Sequence, residues 1–399
     1  MATSLDAPDT TAERLGIRAH SDGPAVHIGT APVQTRSERF ASVNHADFPA
    51  VTGLESEWKL SPVDKVRSLI DGELDGAPYA ILFPEVEGTT VEWIDRADSR
   101  IGSAGTPEER AAANAWTHFE KALHIDVDGD VGTALTVTRG SLGTAPRAAH
   151  TLITAQPNSS GLVVLDSRGG AVLTENLEIV VGDDAQLTVV SLQEWDAEAL
   201  HLASHFAKVG RNAHLKHFVI SLGGSVVRVN PSAHLAAEGA DVELFGVYFA
   251  DAGQHLEQRV YVHHDAPHSR SRVTYKGALN GSGARTVWVG DVLIAPTAPG
   301  TDTYEQNRNL VLSDGTRADS IPNLEIQTGD ILGAGHASAT GRFDDEHLFY
   351  LQSRGITEAE ARRLVVLGFL SEIVQKIGEP SLEARLQAAL EAELGGAHE

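Results

Sequence analysis

The feature that most constrains the fold is a run of short β-like segments, beginning near residue 150, that carries an internal repeat. Segments rich in Val, Leu, Ile, Phe and Tyr alternate with Gly, Asn, Asp and Ser, a pattern that predicts strands joined by tight turns. Three copies share a turn, then an alanine, then an alternating strand, and the alanines are Ala185, Ala213 and Ala240. A recurrence at about 20 to 50 residues is typical of stacked units, so each copy is interpreted as one coil of a solenoid.

No long helical pattern interrupts these strands, so βαβ units are not expected. We therefore predict a mainly β protein whose core is a parallel β-helix over residues 151–345. A β-sandwich with regularly spaced loops is the alternative that the pattern leaves open.

The N-terminal part of the chain predicts a polar tail followed by a mixed domain. Residues 1–20 are rich in Thr, Ala and Asp and are expected to be disordered. Residues 21–150 are expected to form an α/β region that is partly helical. One helix is predicted to begin at Ser61, whose hydroxyl would cap it, and another to use Thr106 and Glu109 as a capping box.

Residues 346–399 predict a C-terminal helical domain. Thr357 and Glu360 have the spacing of a capping box, and leucines four apart follow Ser381 in a second helix. Two helices this apolar suit packing on the solenoid or docking a partner chain. The candidate partner-binding residues of the first helix are Leu364, Leu367, Leu370, Ile373 and Ile377.

The composition excludes several classes of function. The chain has 399 residues, of which 55 are acidic and 31 basic, so binding to nucleic acid or to an anionic membrane surface is not expected. It contains no cysteine, which excludes disulfides and thiolate metal sites within the chain. No apolar run reaches the roughly 18 residues of a membrane span, and the N-terminus lacks the features of a secretory signal. We therefore expect a cytoplasmic protein.

Histidines supply the candidate metal-ligating residues. The stretch VYVHHDAPHSRSR contains His263, His264, Asp265 and His268, whose imidazole and carboxylate groups are ligands for zinc or iron. Adjacent residues of a strand point to opposite faces, so His263 and His264 are not expected to share one site. His264 and His268 are the weaker metal candidates, and a structural role in hydrogen bonding is the favoured interpretation for both.

Two later stretches of the chain also carry polar side chains in an apolar setting. Gln306, Asn307 and Asn309 are expected to stack between successive coils and to satisfy backbone groups of the turns. The stretch ILGAGHASATG places His336 among glycines, alanines and small hydroxyl residues. From the residues alone, His336 is interpreted as a buried histidine with satisfied hydrogen bonds.

A long ordered series of segments resembles the SufB/SufD family of iron–sulfur cluster assembly proteins. The similarity runs from about residue 40 to the end of the chain and is densest between residues 256 and 375. The segments that carry it are ESEWKLSP, HHDAPHSRSRVTYKGALNG, TDTYEQNRNLVLS, PNLEIQTGDILGAGHASATG and LFYLQSRGI.

The resemblance implies a right-handed parallel β-helix between an N-terminal region and a C-terminal helical segment. It implies pairing with a SufB-like paralogue through the β-helices and docking of SufC, an ABC-type ATPase, by the C-terminal helices. Such a complex builds nascent Fe–S clusters, so we expect a transient cluster or iron in the complex and no cofactor in the isolated chain. The exposed edges of a β-helix also make a homodimer plausible for the isolated chain.

Within this family the chain is most similar to SufD. SufD members carry a histidine in a motif of the form K-C-S-H-G-A-T, which here reads GAGHASAT, so His336 matches the family histidine and Ala334 stands where a cysteine is common. A chain without cysteine cannot be the sulfur-accepting SufB. The resemblance therefore predicts a non-catalytic scaffold subunit in which His336 is the candidate residue for cluster assembly or metal binding.

Two alternatives belong to other classes of protein. One is a β-helical enzyme that acts on polysaccharide, although no spacing in the sequence singles out an acid and base pair. The other is a free-standing metal carrier that uses His263, His264 and His268.

Overall fold

The structure is a computed structural model that describes residues 39–342 and 345–396. The predicted disordered tail, residues 1–20, lies outside these ranges, as does the beginning of the predicted mixed domain.

The described residues contain two sheets, of nine and eight strands. Sheet A has the spatial order β1 (Thr89–Asp95), β2 (Lys121–Val127), β4 (Pro146–Ala155), β6 (Val172–Val181), β8 (Leu200–Val209), β10 (Val226–Leu235), β12 (His255–His264), β14 (Arg285–Ile294) and β16 (Arg317–Ile326). Sheet B has the spatial order β3 (Leu135–Arg139), β5 (Ser160–Gly169), β7 (Gln186–Trp195), β9 (His214–Ser221), β11 (Asp241–Ala250), β13 (Arg270–Leu279), β15 (Thr301–Val311) and β17 (Ile331–Arg342).

From β2 onwards, consecutive strands alternate between the two sheets, so each coil of the chain contributes one strand to each sheet. The neighbouring strands from β2 to β17 pair in parallel, and β1 is added to β2 in antiparallel orientation. This topology is a parallel β-helix, which confirms the predicted fold. The sandwich alternative is wrong, because a sandwich is built from antiparallel sheets.

The predicted repeat corresponds to a turn that precedes the strands of sheet B from β5 to β15. A residue in the left-handed conformation is followed by a small buried residue, and the strand then begins. Ala185, Ala213 and Ala240 occupy the small position, and each carbonyl oxygen accepts a 2.9 Å hydrogen bond from the first strand residue of the next coil. The left-handed position is held by Asn158, Asp184, Asn212, Gly239, His268 and Gly300. Asn, Asp and Gly are the residues that tolerate this conformation most readily, so the local sequence determines where the chain turns before each of these strands.

The N-terminal region covers the outer face of sheet A. Leu69 and Ala115 pack with Leu202 of the sheet in one buried cluster, and Trp116 and Phe206 belong to a second. The helical elements of this region are 3₁₀ turns at His45–Asp47 and Val63–Val66, followed by α1 (Arg67–Asp71) and α2 (Arg110–His118). The parallel pairing already begins at β2, so the solenoid starts earlier than the predicted boundary at residue 151. The boundary was predicted where short β-rich runs begin to follow one another, and β2 and β3 lie before that point.

Both predicted helix caps of the N-terminal region are used instead to attach it to the solenoid. The helical turns after Ser61 have no side-chain cap, and the Ser61 hydroxyl donates a 2.7 Å hydrogen bond to Glu257 of β12. Glu109 immediately precedes α2 and accepts hydrogen bonds from Arg228 at 2.8 Å and Asn230 at 3.1 Å, both on β10. The two capping predictions are wrong, because the Ser61 hydroxyl is bound to a buried carboxylate of the sheet and the Glu109 carboxylate to a buried arginine and asparagine.

The C-terminal segment covers the outer face of sheet B. It contains α3 (Asp345–Gln352), α4 (Glu358–Val374) and α5 (Pro380–Gly396). The predicted cap by Thr357 is confirmed, because its side chain accepts a hydrogen bond from the Glu360 backbone N–H, but the Glu360 carboxylate pairs with Arg363 and does not complete the capping box. Apolar residues of α4 and α5 form one buried cluster with Phe218, Phe245 and other outward-facing residues of sheet B. Among the described residues, no helix is long and apolar enough to cross a membrane.

Candidate functional site

One column of inward-facing side chains leads along sheet B to the end of the solenoid. Residues in register on neighbouring parallel strands project to the same face, so the strand pairing defines the column. In order, it contains Leu135, Val163, Val189, His217, Leu244, Val273, Glu305 and His336. The column is apolar apart from His217 until its last two positions, where it ends on a carboxylate and an imidazole.

His336 lies at the open end of the solenoid, because β17 is the last strand of sheet B. Its side chain is 42% exposed, and its Nδ1 atom is 3.8 Å from Oε1 of Glu305. The interpretation of a buried histidine with satisfied hydrogen bonds is wrong, since no further coil covers this side chain in the part of the chain that the structure describes. Ala334, at the position where the family commonly has cysteine, is in register with Thr303 and lies two residues from His336 on the same face of the strand. The end of the solenoid thus presents a reachable imidazole, which can ligate a metal when neutral or move a proton.

Glu305 lies directly beneath His336 and is almost completely buried, with 1% of its side chain exposed. Neither carboxyl oxygen accepts a hydrogen bond of normal geometry from the described residues, although the backbone N–H of Asn323 lies close enough to act on the carboxyl group. Burial raises the pKa of Glu305 to about 8, the charge of Asp291 adds to the rise, and the backbone N–H of Asn323 offsets only part of it. The carboxyl group fits because position 290 is a glycine: a Cβ atom there would lie 2.4 Å from Oε2 of Glu305.

The inward-facing amides further along β15 form a closed structural network. Asn307 donates a 2.7 Å hydrogen bond to the Tyr248 hydroxyl, which in turn donates at 2.8 Å to Asn309. Asn309 donates to Asn307 at 2.8 Å, and Ser320 of β16 also donates to Asn307. Asn307 and Asn309 thus have a structural role as predicted, but their partners are mainly the Tyr248 and Ser320 side chains and not the backbone groups of turns.

The structure places the two weaker metal candidates away from His336 and in structural roles. His264 is fully buried inside the solenoid, where its ring nitrogens are 2.7 and 2.9 Å from the hydroxyls of Ser269 and Ser271. Burial lowers the pKa of His264 to about 3, so the ring is neutral. His268 occupies the left-handed turn position with φ of 56°, and its ring lies against Gly300 of the next coil. Both side chains maintain the coil geometry.

The histidines proposed for a metal carrier are not brought together. His263 points away from His264 to the outer face of sheet A, where its ring stacks on His234 at 5.0 Å between centroids. Within the described ranges, no group of three or more His, Cys, Asp or Glu side chains is arranged to hold a metal ion. The hypothesis of a carrier that uses His263, His264 and His268 therefore has no site.

Most of the candidate partner-binding residues of α4 are covered by the chain itself. Leu370, Ile373 and Ile377 are buried against sheet B, and Leu367 is partly buried at the same cluster. Leu364 is exposed. The assignment of Leu370, Ile373 and Ile377 to a partner is corrected: an amphipathic helix needs a cover for its apolar face, and here the solenoid supplies it.

Glu305 is the one residue of this region that sequence reasoning missed. The signal was present, since Thr303, Glu305, Asn307 and Asn309 alternate along one strand and alternation places them on one face. The pairing with His336 was not readable, because the register between β15 and β17 shifts at a bulge between Thr301 and Asp302.

Comparisons with known proteins agree with this architecture. The matching family is described as "SUF system FeS cluster assembly, SufBD core domain", and the match covers residues 138–369. A protein of Mycobacterium tuberculosis, described as an iron-sulfur cluster assembly SufBD family protein, is 45% identical over 401 residues, which is 98% of this chain and 97% of that protein. A SufBD family protein of Mycobacterium leprae is 44% identical over 380 residues, 93% of this chain and 97% of that protein. Mycobacterium tuberculosis has a second SufBD family protein that is 29% identical over 222 residues, 55% of this chain and 26% of that protein.

Proposed function

The chain belongs to the SufBD family of iron–sulfur cluster assembly proteins, and on that premise we propose that it is the SufD-type, non-catalytic scaffold subunit of a SufBCD-type complex. The observation that carries the proposal is the combination of His336 at the open end of the solenoid with the absence of cysteine from the chain. A persulfide or a thiolate ligand requires cysteine, so sulfur must be accepted elsewhere. Membership of this family favours cluster assembly over the polysaccharide alternative.

The partner that accepts sulfur is proposed to be a cysteine-bearing SufB-like paralogue. Two SufBD family proteins in Mycobacterium tuberculosis support the idea that such proteins act in pairs. The pairing surface is proposed to be the open end of the solenoid, where β16 and β17 each have a strand neighbour on one side only among the described strands. Unpaired strand edges offer backbone hydrogen bonds, and exposed Ile326 and Leu332 offer apolar contacts there.

The C-terminal segment is proposed to dock a SufC-like ABC ATPase through its exposed residues. Phe349 and Tyr350 of α3 and Leu364 of α4 are large apolar side chains that the solenoid leaves exposed. Exposed apolar groups on a segment whose other face is already packed are typical of a protein interface. Iron, or the nascent cluster, is the substrate of the assembled complex and is held only transiently.

The proposal is tested by a pull-down of the tagged full-length chain from an extract of its native cells, followed by identification of the retained proteins. We expect a cysteine-containing SufBD paralogue and an ABC-type ATPase. Recovery of neither protein would contradict the scaffold assignment. A homodimer without the paralogue would contradict the SufD-type pairing.

The docking surface is tested by Leu364→Glu, with Leu54→Glu as the matched control. Leu54 is 85% exposed and lies in the N-terminal region, so the control introduces the same change on another surface. Leu364→Glu is expected to lose the ATPase and retain the paralogue, whereas Leu54→Glu retains both. A truncation of α4 and α5 is a poor test, because it exposes the apolar face of sheet B that these helices cover.

A further inference from the structure

We infer that Glu305 is a metal-ligating residue that forms, together with His336, a two-residue site for a divalent cation of the ferrous type. The inference rests on the proposed function and deepens it, because it names a second residue of the same site and the class of substrate that the residue holds. It is carried by three features of the described residues: strand register, an unpartnered buried carboxyl group, and the open end of the solenoid.

Strand register fixes the two side chains over one another. Glu305 of β15 and His336 of β17 are direct partners in parallel pairing, so both project into the interior of the coil. Nδ1 of His336 and Oε1 of Glu305 are 3.8 Å apart. Metal–ligand bonds of about 2.0 to 2.2 Å from one ion to a histidine nitrogen and a carboxylate oxygen fit this separation after a small movement of the exposed imidazole.

The carboxyl group of Glu305 has no partner within the described chain that explains its burial. Neither oxygen accepts a hydrogen bond of normal geometry, although the side chain is almost fully enclosed, and the weak interaction with the backbone N–H of Asn323 does not compensate for that burial. Other carboxylates buried in this protein are satisfied: Glu178 accepts from His150 at 2.9 Å and from two backbone N–H groups, and Glu257 accepts from His255 at 2.9 Å. A buried polar group without a partner is costly, and a bound cation would supply the missing interaction at Glu305.

The donor atoms define the class of cation. One imidazole nitrogen and one carboxylate oxygen suit first-row transition metals such as Fe²⁺, whereas Mg²⁺ and Ca²⁺ prefer sites made only of oxygen. Two donors leave coordination positions vacant. Those positions face the open end, where Gly335 and Ala334 carry little bulk and a partner subunit is able to add ligands.

The test measures binding of Co²⁺, an air-stable probe of such sites, to the metal-free full-length chain by equilibrium dialysis. The variants are Glu305→Gln, His336→Ala and the double variant. Asp291→Asn is the matched control, because Asp291 is a nearby carboxylate whose charge acts on Glu305. It lies on β14 of sheet A, next to the inward-facing Gly290, and therefore projects to the outer face of that sheet.

We expect Glu305→Gln and His336→Ala each to weaken one Co²⁺ site by at least about tenfold, the scale seen when metal-site residues are lost. The double variant should bind no more weakly than either single variant, since chelation needs both groups. Asp291→Asn should stay within about twofold of the wild type. Unchanged binding by Glu305→Gln overturns the inference, and so does equal weakening by Asp291→Asn, which would mean that only the local charge matters.

Two further measurements distinguish loss of the metal site from misfolding of the variant and from failure of the proposed function. Co²⁺ should raise the melting temperature of the wild type and not that of Glu305→Gln, because ligand binding stabilises only the protein that binds. Glu305→Gln should still co-purify with the paralogue and the ATPase. If it does so and also binds Co²⁺ normally, the inference fails while the scaffold function stands; if the wild type retains no partners, the scaffold function fails.

Discussion

Glu175 in the middle of the solenoid and Glu305 at its open end are both inward-facing, buried carboxyl groups, yet their surroundings are opposite. Glu175 accepts a 2.6 Å hydrogen bond from Arg139 and a 2.7 Å hydrogen bond from His201. Burial alone would raise the pKa of Glu175, but the charge of Arg139 and these hydrogen bonds outweigh burial and hold the pKa below its ordinary value. Glu305 has no such partners, and burial raises its pKa to about 8.

The comparison teaches how one fold treats a structural and a functional carboxyl group differently. In the middle of the solenoid the next coils provide partners, so the charge of Glu175 is part of the folded framework. At the last coil no described neighbour donates a hydrogen bond of normal geometry to Glu305, and the missing interaction is left for a ligand that binds there. Buried carboxyl groups are expected to have hydrogen-bond or ion-pair partners, so one without them is a sign of a site.

The largest loss of stability is expected from replacing Arg139, whose guanidinium pairs with Glu175 in the middle of the solenoid. Arg139→Met leaves Glu175 buried without its bidentate partner, and we expect the free energy of unfolding to fall by about 3–5 kcal/mol. Denaturation by urea measures the change. A loss below about 1 kcal/mol would show that the carboxylate of Glu175 is not held by Arg139, and the comparison would break.

The next largest effect is a difference in stability between two alanine variants, one at the buried His264 and one at His336 at the open end. His264→Ala removes hydrogen bonds to Ser269 and Ser271 and leaves a cavity, so we expect about 2–3 kcal/mol of destabilisation. His336→Ala, at a half-exposed side chain, should cost about 1 kcal/mol or less. Thermal unfolding of the two variants decides the point, and equal losses would mean that His336 is a packing residue.

The two carboxyl groups should change the stability of the protein with pH in opposite directions, because the pKa of Glu305 is raised and that of Glu175 is lowered. The pKa of Glu305 is raised from an ordinary 4.5 to about 8, so between these values the folded protein holds a proton that the unfolded chain releases. The stability that Glu305 contributes is complete below pH 4.5 and is lost as the pH rises towards 8, by up to about 1.4 kcal/mol per pH unit. The lowered pKa of Glu175 acts only on the acid side of this window.

Glu305→Gln isolates this effect, because other groups contribute equally to both proteins. With metal removed by a chelator, the variant should gain stability relative to the wild type as the pH rises from 5 to 8. A constant difference between the two proteins across this range would contradict the raised pKa of Glu305.

The smallest effect is expected from Asp291, whose charge is the second cause of the raised pKa of Glu305. Asp291→Asn should move the midpoint of the pH-dependent difference downwards by less than about one pH unit, because burial remains the main cause. A shift as large as the whole elevation would assign the raised pKa to charge and not to burial.

The fold was predictable from the sequence because each coil repeats a local signal. The turn before Ala185, Ala213 and Ala240 uses residues that tolerate a left-handed conformation. The alternation of side chains along each strand then predicts which of them face the interior. The opposite orientation of His263 and His264 followed from the same period of two.

What the sequence did not reveal depends on contacts between distant segments. Ser61 and Glu109 were assigned to helix caps, but buried groups of the sheet attract them in the folded chain. The apolar face of α4 was predicted, and whether a partner or the solenoid covers Leu370 was not readable from it. The stacking of Glu305 on His336 depends on a bulge that alters the register at the last coil.

The measurement that tests the account most directly is cluster formation by the complex reconstituted with His336→Ala, beside the wild type and His264→Ala. Complex yield, melting temperature and cluster absorbance are recorded for each. We expect His336→Ala to assemble and melt nearly as the wild type does but to lose most of the cluster absorbance. His264→Ala should lower the melting temperature and retain cluster formation in proportion to the folded complex. A His336→Ala complex with normal cluster yield would contradict the central claim that the open end of the solenoid is the site of this subunit.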